Sequence, residues 1–326
     1  MEEIRVKSWA DLQERLYDRS WYQPHGRFRA PFAFRGVANQ AFPPRTSLCR
    51  LGGRYPTLED PLLRNFRKYA ASSEVPRDST WNWLAVAQHH GLPTRLLDWT
   101  FSPNVALHFA TEDFDDFGVD GMILAIDFIA CRDLLPSGLK RILEKEGALL
   151  FTAEMLNQYA KTLEEFDRNV AREGDHCVAF FEPPSLDERI VNQAALFSFV
   201  SNPVVQIDEW LARQAPGLAR RIILPASLKW EIRDKLDMAN ITERVIYPGI
   251  DGLSRWLQRY YSPNHKIEID GAIWEIQEMH DGRIVVERQG ERREITSRPD
   301  GHPDAKWWDL TNDREIEVRP RPRQYE

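Results

Sequence analysis

The chain has 326 residues, of which 42% are hydrophobic and 29% charged, and its formal net charge is -7. This composition describes a globular protein, and its acidic balance argues against a broad nucleic-acid surface, although a local basic groove would not show in the total. No run approaches the ~18 apolar residues of a membrane span, and the first residues lack a signal-peptide pattern. The cysteines Cys49, Cys131 and Cys177 follow neither disulfide nor metal spacing. We therefore expect a cytoplasmic protein with no membrane association.

The first elements predicted along the chain lead to an arginine at the end of a strand. Residues 4–6 predict a short strand, and Ser8 is placed to begin a helix. After a loop rich in proline and glycine, Phe32-Ala-Phe34 predicts a strand that delivers Arg35 and Gly36 at its end. Glycine at this point would permit a tight turn or a close approach of the backbone to a ligand.

Arg35 itself has two interpretations. In the first it is a surface residue, or the partner of a buried carboxylate such as Asp98 or Glu112. In the second it clamps a phosphate or a ribose, because the planar fork of a guanidinium group suits bidentate contacts with phosphate.

The segment 87–110 carries the densest group of polar side chains. A helix over 79–90 is expected to end at Gly91, a short strand enters Asp98-Trp99-Thr100, and Ser102-Pro103 predicts the start of the next helix. The polar residues should therefore lie at a strand end and at a helix N-terminus, where backbone N–H groups and the helix dipole favour an anion.

Individual residues of this segment leave alternatives open. Trp99 either packs in the core or stacks on a flat ligand ring while Thr100 and Ser102 bond its polar groups. His89 and His90 mark a helix end more simply than a metal site, because adjacent helix residues point about 100° apart. No further ligands follow them at metal spacing.

The rest of the first 262 residues predicts strands and helices in alternation. Gly121–Asp127 is almost wholly apolar and indicates a central strand that is covered on both faces. Residues 134–172 are predicted to be mostly helical. Further strands are expected at 177–181, 194–200 and 220–224, and further helices at 208–215, 228–238 and 251–261.

The pattern changes after about residue 262. Short alternating segments follow, and Asp270-Gly271 and Asp281-Gly282 separate them as hairpin turns do. We predict an α+β protein with two units, a large domain over residues 1–262 and a small antiparallel β module over residues 265–326.

Several motifs of the large domain closely resemble the FRG domain, a family named for the first of them. They are Phe34-Arg35-Gly36, Ser47-Leu48-x-Arg50, the long motif that runs from Ala87 to Pro103, Arg189-x-x-x-Gln193, and Ile246 to Leu253. On these motifs, residues 4–260 are identified as a member of the FRG family, with the β module outside it.

A second, weaker resemblance, to ADP-ribosyltransferases of the arginine–serine–glutamate type, implies an activity. Those enzymes carry an aromatic-Arg-Gly strand end, then a Ser-Thr-Ser strand with a helix after it, and a glutamate on a later strand. Phe34-Arg35-Gly36, Asp98-Trp99-Thr100 and Gln193 stand in the corresponding places. The resemblance implies an ADP-ribosyltransferase-like split β-sheet core with surrounding helices, NAD as the substrate, and no metal.

The resemblance also implies roles for particular residues. Arg35 is expected to hold the phosphate or ribose of NAD, and Thr100 and Ser102 to position the nicotinamide ribose. Because Gln193 stands where those enzymes have glutamate and cannot take a proton, Glu188 or Asp98 would supply the missing carboxylate. The full set expected to bind NAD is Arg35, Gly36, Arg95, Trp99, Thr100 and Ser102.

The expected function is therefore that of an NAD-dependent toxin or antiviral defence effector. It would cleave the nicotinamide–ribose bond, as an ADP-ribosyltransferase or an NAD glycohydrolase, and modify a nucleic-acid or protein target, with a neutralising or regulatory partner to restrain it. Two alternatives stay open. One is a non-catalytic module that binds nucleic acid or a protein partner, and the other is a metal-dependent hydrolase that uses His89, His90 and Asp98.

Overall fold

The strands of the chain form two large sheets and one small hairpin. The computed structural model describes residues 1–70, 75–185, 187–261, 266–280, 283–297 and 307–321. Within these ranges, an eight-stranded mixed sheet has the order β1-β10-β6-β4-β5-β9-β8-β7, and β2 pairs with β3. The strands are β1 Glu2–Arg5, β2 Trp21–Tyr22, β3 Arg27–Phe28, β4 Phe32–Val37, β5 Leu97–Thr100, β6 Gly121–Asp127, β7 Phe151–Thr152, β8 Val178–Glu182, β9 Ala195–Val200 and β10 Ala219–Leu224.

Helices connect and flank these strands. The side-chain oxygens of Ser8, Ser79 and Ser102 cap α1, α4 and α5, and Gly91, with φ of 81°, follows the end of α4. These residues confirm the helix ends predicted from the sequence. The helices are α1 Trp9–Tyr17, α2 Ser47–Arg50, α3 Glu59–Tyr69, α4 Thr80–His89, α5 Pro103–Ala110, α6 Phe128–Arg132, α7 Ser137–Glu146, α8 Ala153–Tyr159, α9 Leu163–Glu173, α10 Glu188–Asn192, α11 Ile207–Gln214, α12 Lys229–Met238, α13 Glu243–Ile246 and α14 Ile250–Tyr261.

Strand β6 is the central strand that its apolar sequence predicts. It pairs antiparallel with β10 on one side and with β4 on the other. Its side chains alternate between two hydrophobic clusters: Leu124 and Ile126 belong to one, and Ile123 and Ala125 to the other. Both faces of this strand are therefore covered, which explains why its first six residues are all apolar and buried.

The main sheet is joined most weakly between β4 and β5. These strands share one residue pair, Phe34 with Thr100, whereas β4 and β6 are in register from Phe32 to Val37. Strand β5 in turn pairs with β9 along its whole length. The sheet therefore divides beside Arg35. Arg35 and Gly36 lie within β4, which continues to Val37, and not at its end as predicted.

Gly36 allows helix α5 to lie against β4. A Cβ atom at this residue would stand 1.8 Å from the backbone oxygen of Ala106 and 2.8 Å from the backbone nitrogen of Ala110. The expectation of a tight turn is therefore wrong, since Gly36 lies within a strand, whereas Gly36 does line the cavity described below. Residue 36 must lack a side chain because the backbone of α5 lies against it.

Two segments differ from the sequence prediction. The loop expected before β4 contains the hairpin of β2 and β3, whose strands are too short to show an alternating pattern. Residues 134–172 are divided into α7, α8 and α9, with β7 between the first two at the sheet edge, parallel to β8. The breaks are local, because Gly147 ends α7 with φ of 63° and Thr152 and Thr162 cap α8 and α9.

The C-terminal residues form an antiparallel sheet with its own hydrophobic core. Its order is β16-β15-β14-β13-β12-β11-β17, and Trp274, Val286 and Ile295 are among its buried residues. Asp270-Gly271 forms the first hairpin turn as expected, whereas Asp281-Gly282 lies outside the described residues. The strands are β11 Lys266–Ile269, β12 Ala272–His280, β13 Arg283–Arg288, β14 Glu291–Ser297, β15 Trp307–Asp309, β16 Arg314–Ile316 and β17 Val318–Arg321.

No helix in the described ranges combines the length and the apolar character that crossing a bilayer requires.

Candidate functional site

A cavity of about 730 Å³ lies where β4, β5 and β9 meet the end of α4 and helix α10. This volume falls within the range of roughly 300–1,000 Å³ that is typical of small-molecule sites. The residues that line it are Phe34, Arg35, Gly36, Ser47, Gln88, His89, His90, Gly91, Leu92, Asp98, Trp99, Thr100, Phe109, Arg189, Ile190, Gln193, Ala195 and Phe197.

The cavity brings together most of the residues that the sequence analysis selected. Arg35 comes from β4, Asp98 and Thr100 from β5, and Gln193 from the residues just before β9. Glu188, Arg95 and Ser102 are not among the lining residues. Side chains separated by up to 158 positions in the sequence thus share one wall, because β4, β5 and β9 are neighbours in the sheet.

Asp98 presents its carboxylate to the cavity. The Gln88 side-chain amide donates a hydrogen bond of 2.7 Å to this carboxylate, and the amide oxygen of Gln88 accepts one from the Thr94 hydroxyl at 2.5 Å. Water reaches the carboxylate through the cavity, but protein surrounds it on the other sides, and this desolvation raises the pKa of Asp98. The positive charges of Arg35 and Arg189 oppose the rise.

Arg35 and Arg189 bring two partly unsatisfied guanidinium groups to the cavity. Arg35 Nη1 donates to the backbone oxygen of Asp98 at 2.6 Å, and the Arg189 guanidinium lies 5.2 Å from the ring centre of Tyr247. In both arginines Nε is buried and has no hydrogen-bond partner among the described residues. Burial lowers the pKa of Arg35, and nearby Arg50 adds to this effect against the attraction of Asp98. Such a pair of cations is suited to an anion.

Arg189 is a site residue that was not predicted, although the sequence carries a signal for it. Arg189 precedes Gln193 by four positions, and residues with this spacing share a face of a helix. Arg189 lies in α10, and Gln193 directly follows that helix. The position of Gln193 therefore also indicates Arg189, the charged residue on the same face of α10.

Thr100 holds Gln193 in place. The Thr100 hydroxyl donates to the backbone oxygen of Gln193 at 2.7 Å and accepts from the backbone N–H of Ser102 at 3.0 Å. The Gln193 side chain donates to the backbone oxygen of Ile246 at 3.2 Å. The proton of the Thr100 hydroxyl is used and the side chain is buried, so that Thr100 acts in this structure as a support for Gln193.

Trp99 packs in the core, which is the first of its two interpretations. Successive residues of a strand point to opposite faces, so that Trp99 points away from Asp98 and Thr100. Its ring packs edge-to-face on Phe180, with the centroids 5.9 Å apart, and its indole N–H donates to the Ser198 hydroxyl at 2.8 Å. The ring is therefore not placed to stack on nicotinamide.

Arg95 and Glu188 lie away from the cavity. The Arg95 guanidinium is buried and bonds the carboxylates of Glu59 and Asp167, at 2.7 Å in both cases. These partners raise the pKa of Arg95 against the effect of burial. Glu188 is exposed in the first turn of α10. The expectations that Arg95 binds NAD and that Glu188 supplies the carboxylate thus gain no support from the geometry.

The N-terminus of α5 does not offer the anion site that its dipole led us to expect. Ser102 N–H donates to the Thr100 hydroxyl, and the Ser102 hydroxyl accepts from the backbone N–H of Val105 at 3.3 Å. Pro103 has no N–H group. Ser102 is a helix cap, and the groups of the cavity that can bind an anion are the guanidinium groups of Arg35 and Arg189.

His89 and His90 line the cavity at the end of α4. His89 Nε2 lies 2.7 Å from a carboxylate oxygen of Asp187, the residue that caps α10. Within the described ranges, no three histidine, cysteine, aspartate or glutamate side chains are grouped as metal ligands. The hydrolase alternative that rests on His89, His90 and Asp98 therefore has no ligand set in this part of the chain.

Comparison with models of protein families matches residues 30–118 to the FRG domain. Comparisons with curated proteins and with solved structures found no match. The matched segment runs through β4 and α5 and includes Arg35, Asp98 and Thr100, whereas Arg189 and Gln193 lie beyond it. Residues 30–118 of the chain therefore form an FRG domain.

Proposed function

We propose that the cavity binds NAD and that the protein cleaves the bond between nicotinamide and ribose. The observation that carries this proposal is the meeting of Arg35, Asp98 and Gln193, from three neighbouring parts of the sheet, around one cavity of about 730 Å³. The weak joint between β4 and β5 beside them supports a split sheet of the ADP-ribosyltransferase kind.

The arginines are the groups that would bind the phosphates. Arg35 and Arg189 both line the cavity, and a diphosphate offers acceptors to both guanidinium groups. Their different origins, on β4 and on α10, allow them to approach a ligand from two sides.

Asp98 is the carboxylate best placed to assist the reaction. When the C1′–N bond breaks, its electron pair stays with the nicotinamide nitrogen, and positive charge develops on the ribose. An ionised carboxylate facing that charge lowers the barrier by electrostatic stabilisation. Water or an acceptor hydroxyl or amine then adds at C1′ and releases one proton. Gln193 cannot take this proton, but its amide can orient the ribose.

The test is the release of nicotinamide by the purified full-length chain incubated with NAD. We expect release by the natural protein and a fall of at least about 100-fold in kcat for Asp98→Asn, since such groups contribute roughly 10²–10³. Glu188→Gln is the matched control, because it removes an exposed carboxylate outside the cavity, and it should change kcat less than about 2-fold. Absence of nicotinamide release, together with no NAD-induced rise in Tm, would contradict the proposal.

We further propose that this activity serves as a toxin or an antiviral defence effector, restrained by a neutralising or regulatory partner. The cellular consequence would be loss of NAD or modification of a target. Induced expression in bacteria should then stop growth and lower the NAD content, and Asp98→Asn should abolish both effects. Growth arrest of equal strength by Asp98→Asn would show that the toxicity has another origin.

A further inference from the structure

The hairpin formed by β2 and β3 carries aromatic rings on its exposed surface. Relative exposures are 53% for Trp21, 41% for Tyr22 and 66% for Phe28, although large apolar side chains are usually buried. Trp21 and Phe28 are cross-strand partners, and their rings are edge-to-face with centroids 5.2 Å apart. The Tyr22 ring lies at the same distance from that of His25. These contacts hold the rings in fixed positions while leaving their outer surfaces open.

The same hairpin is basic within an acidic chain. Residues 20–31 contain no aspartate or glutamate, although the whole chain has 50 acidic residues against 43 basic ones. Arg27 and Arg29 are exposed, and neither forms an ion pair with a carboxylate in the described ranges. The nearest acidic residue along the chain, Asp18, already bonds Arg220. The hairpin therefore presents positive charge with no carboxylate of its own to neutralise it.

We propose that this hairpin, residues 20–31, is a binding surface for single-stranded nucleic acid. Fixed aromatic rings provide faces on which bases stack, and unpaired arginines contact the phosphates between them. A duplex would present its bases only inside the stack, so that exposed rings favour a single strand. The surface is independent of the NAD chemistry, but if that chemistry modifies nucleic acid, the hairpin is the element that recruits the acceptor.

The experiment measures binding of the full-length chain to fluorescein-labelled DNA and RNA single strands of about 20 nucleotides, and to the matching duplex, by anisotropy. Single strands should bind more tightly than the duplex. Phe28→Ala should weaken binding by about 5-fold or more, with little change in its salt dependence, because stacking is lost. Arg27→Ala with Arg29→Ala should lower the slope of log K against log salt by about 1.4, or 0.7 per phosphate contact.

Two controls separate this surface from general effects. Arg141→Ala with Arg168→Ala removes two exposed arginines of α7 and α9, and Tyr260→Ala removes an exposed ring of α14; both should bind like the natural protein. The proposal is overturned if no single strand binds, and the exposed rings would then be a contact for a protein partner. It is also overturned if the control variants weaken binding as much as the hairpin variants do. Nicotinamide release measured on the same samples tests the enzyme separately, since loss of strand binding leaves hydrolysis of NAD intact.

Discussion

At the scale of single residues, the site separates side chains that can touch a ligand from side chains that hold others in place. Asp98 and Arg189 line the cavity, and the Nε atom of Arg189 has no hydrogen-bond partner among the described residues. Thr100 and Trp99 come from the same strand as Asp98. The Thr100 hydroxyl donates to the backbone oxygen of Gln193, and the Trp99 indole N–H donates to the Ser198 hydroxyl. A motif rich in polar residues therefore does not mean that every member contacts the substrate.

The positioning role of Thr100 predicts a specific pattern of damage. Thr100→Val keeps the shape but leaves the Gln193 oxygen and the Ser102 N–H without their partner, which should cost about 1–3 kcal/mol of unfolding free energy. It should also lower kcat for nicotinamide release, because Gln193 loses a support. Thr100→Ser retains the hydroxyl and should restore most of both quantities. Equal losses in the valine and serine variants, measured by chemical unfolding and by kinetics, would assign the role to the methyl group instead.

Arg189 and Arg255 offer a matched test of the anion site. Their guanidinium groups lie 5.2 and 5.4 Å from the ring centre of Tyr247, but only Arg189 lines the 730 Å³ cavity. Arg189→Ala should weaken NAD binding by about 10-fold or more, since hydrogen bonds to a charged group contribute roughly 1.5–3 kcal/mol. Arg255→Ala should leave it within about 2-fold. Calorimetric titration with NAD measures both, and equal weakening would trace the effect to Tyr247.

At the scale of elements, the sequence was informative wherever the signal was local. Ser102-Pro103 and Gly91 mark helix ends through bonds within a few residues, and these predictions are confirmed. The role of Gly36 was not visible, because its neighbour is the backbone of α5, 70 positions later. The role of Arg95 was not visible for a similar reason, because its ion-pair partners Glu59 and Asp167 lie far from it in the chain.

The contact between β4 and α5 predicts a large cost for a single methyl group. In Gly36→Ala the new Cβ would meet the Ala106 carbonyl oxygen at 1.8 Å, and backbone atoms on both sides cannot rotate away as a flexible side chain would. We expect a loss of about 3 kcal/mol or more in unfolding free energy, the upper end of overpacking costs. Gly217→Ala is the control, because no atom lies within 4 Å of its added Cβ. Similar unfolding midpoints for the two variants would contradict the close packing of α5.

At the scale of the whole molecule, the class of fold was predictable and the buried polar network was not. Hydrophobic periodicity indicates the strands and helices, and the alternating segments after residue 262 indicate a second sheet. Periodicity says nothing about a polar residue inside an apolar helix, such as His108 in α5. Its partner is Arg233 of α12, whose Nη1 lies 3.0 Å from His108 Nδ1. Only the folded chain brings these two residues together.

This buried histidine should make the stability of the protein depend on pH. Burial, with the nearby charge of Arg233, lowers the pKa of His108 from its ordinary value of 6.5 to about 3. The unfolded chain therefore binds a proton that the folded chain excludes, and unfolding becomes easier as the pH falls from about 6.5 towards 3. The contribution is up to about 1.4 kcal/mol per pH unit in that window. Burial lowers the pKa of Lys229 to about 8, so this residue titrates at a higher pH than the window from 3 to 6.5.

Chemical unfolding between about pH 4 and pH 7 measures this dependence. His108→Gln can still accept a hydrogen bond from Arg233 but cannot take a proton, so its stability should fall less steeply with acid, even if it is lower at pH 7. The carboxylates titrate in both proteins, and the difference between the two profiles therefore isolates His108. His176→Gln, which removes an exposed histidine, is the control and should follow the natural profile. Parallel profiles for the natural protein and His108→Gln would mean that His108 can be protonated without opening the core between α5 and α12.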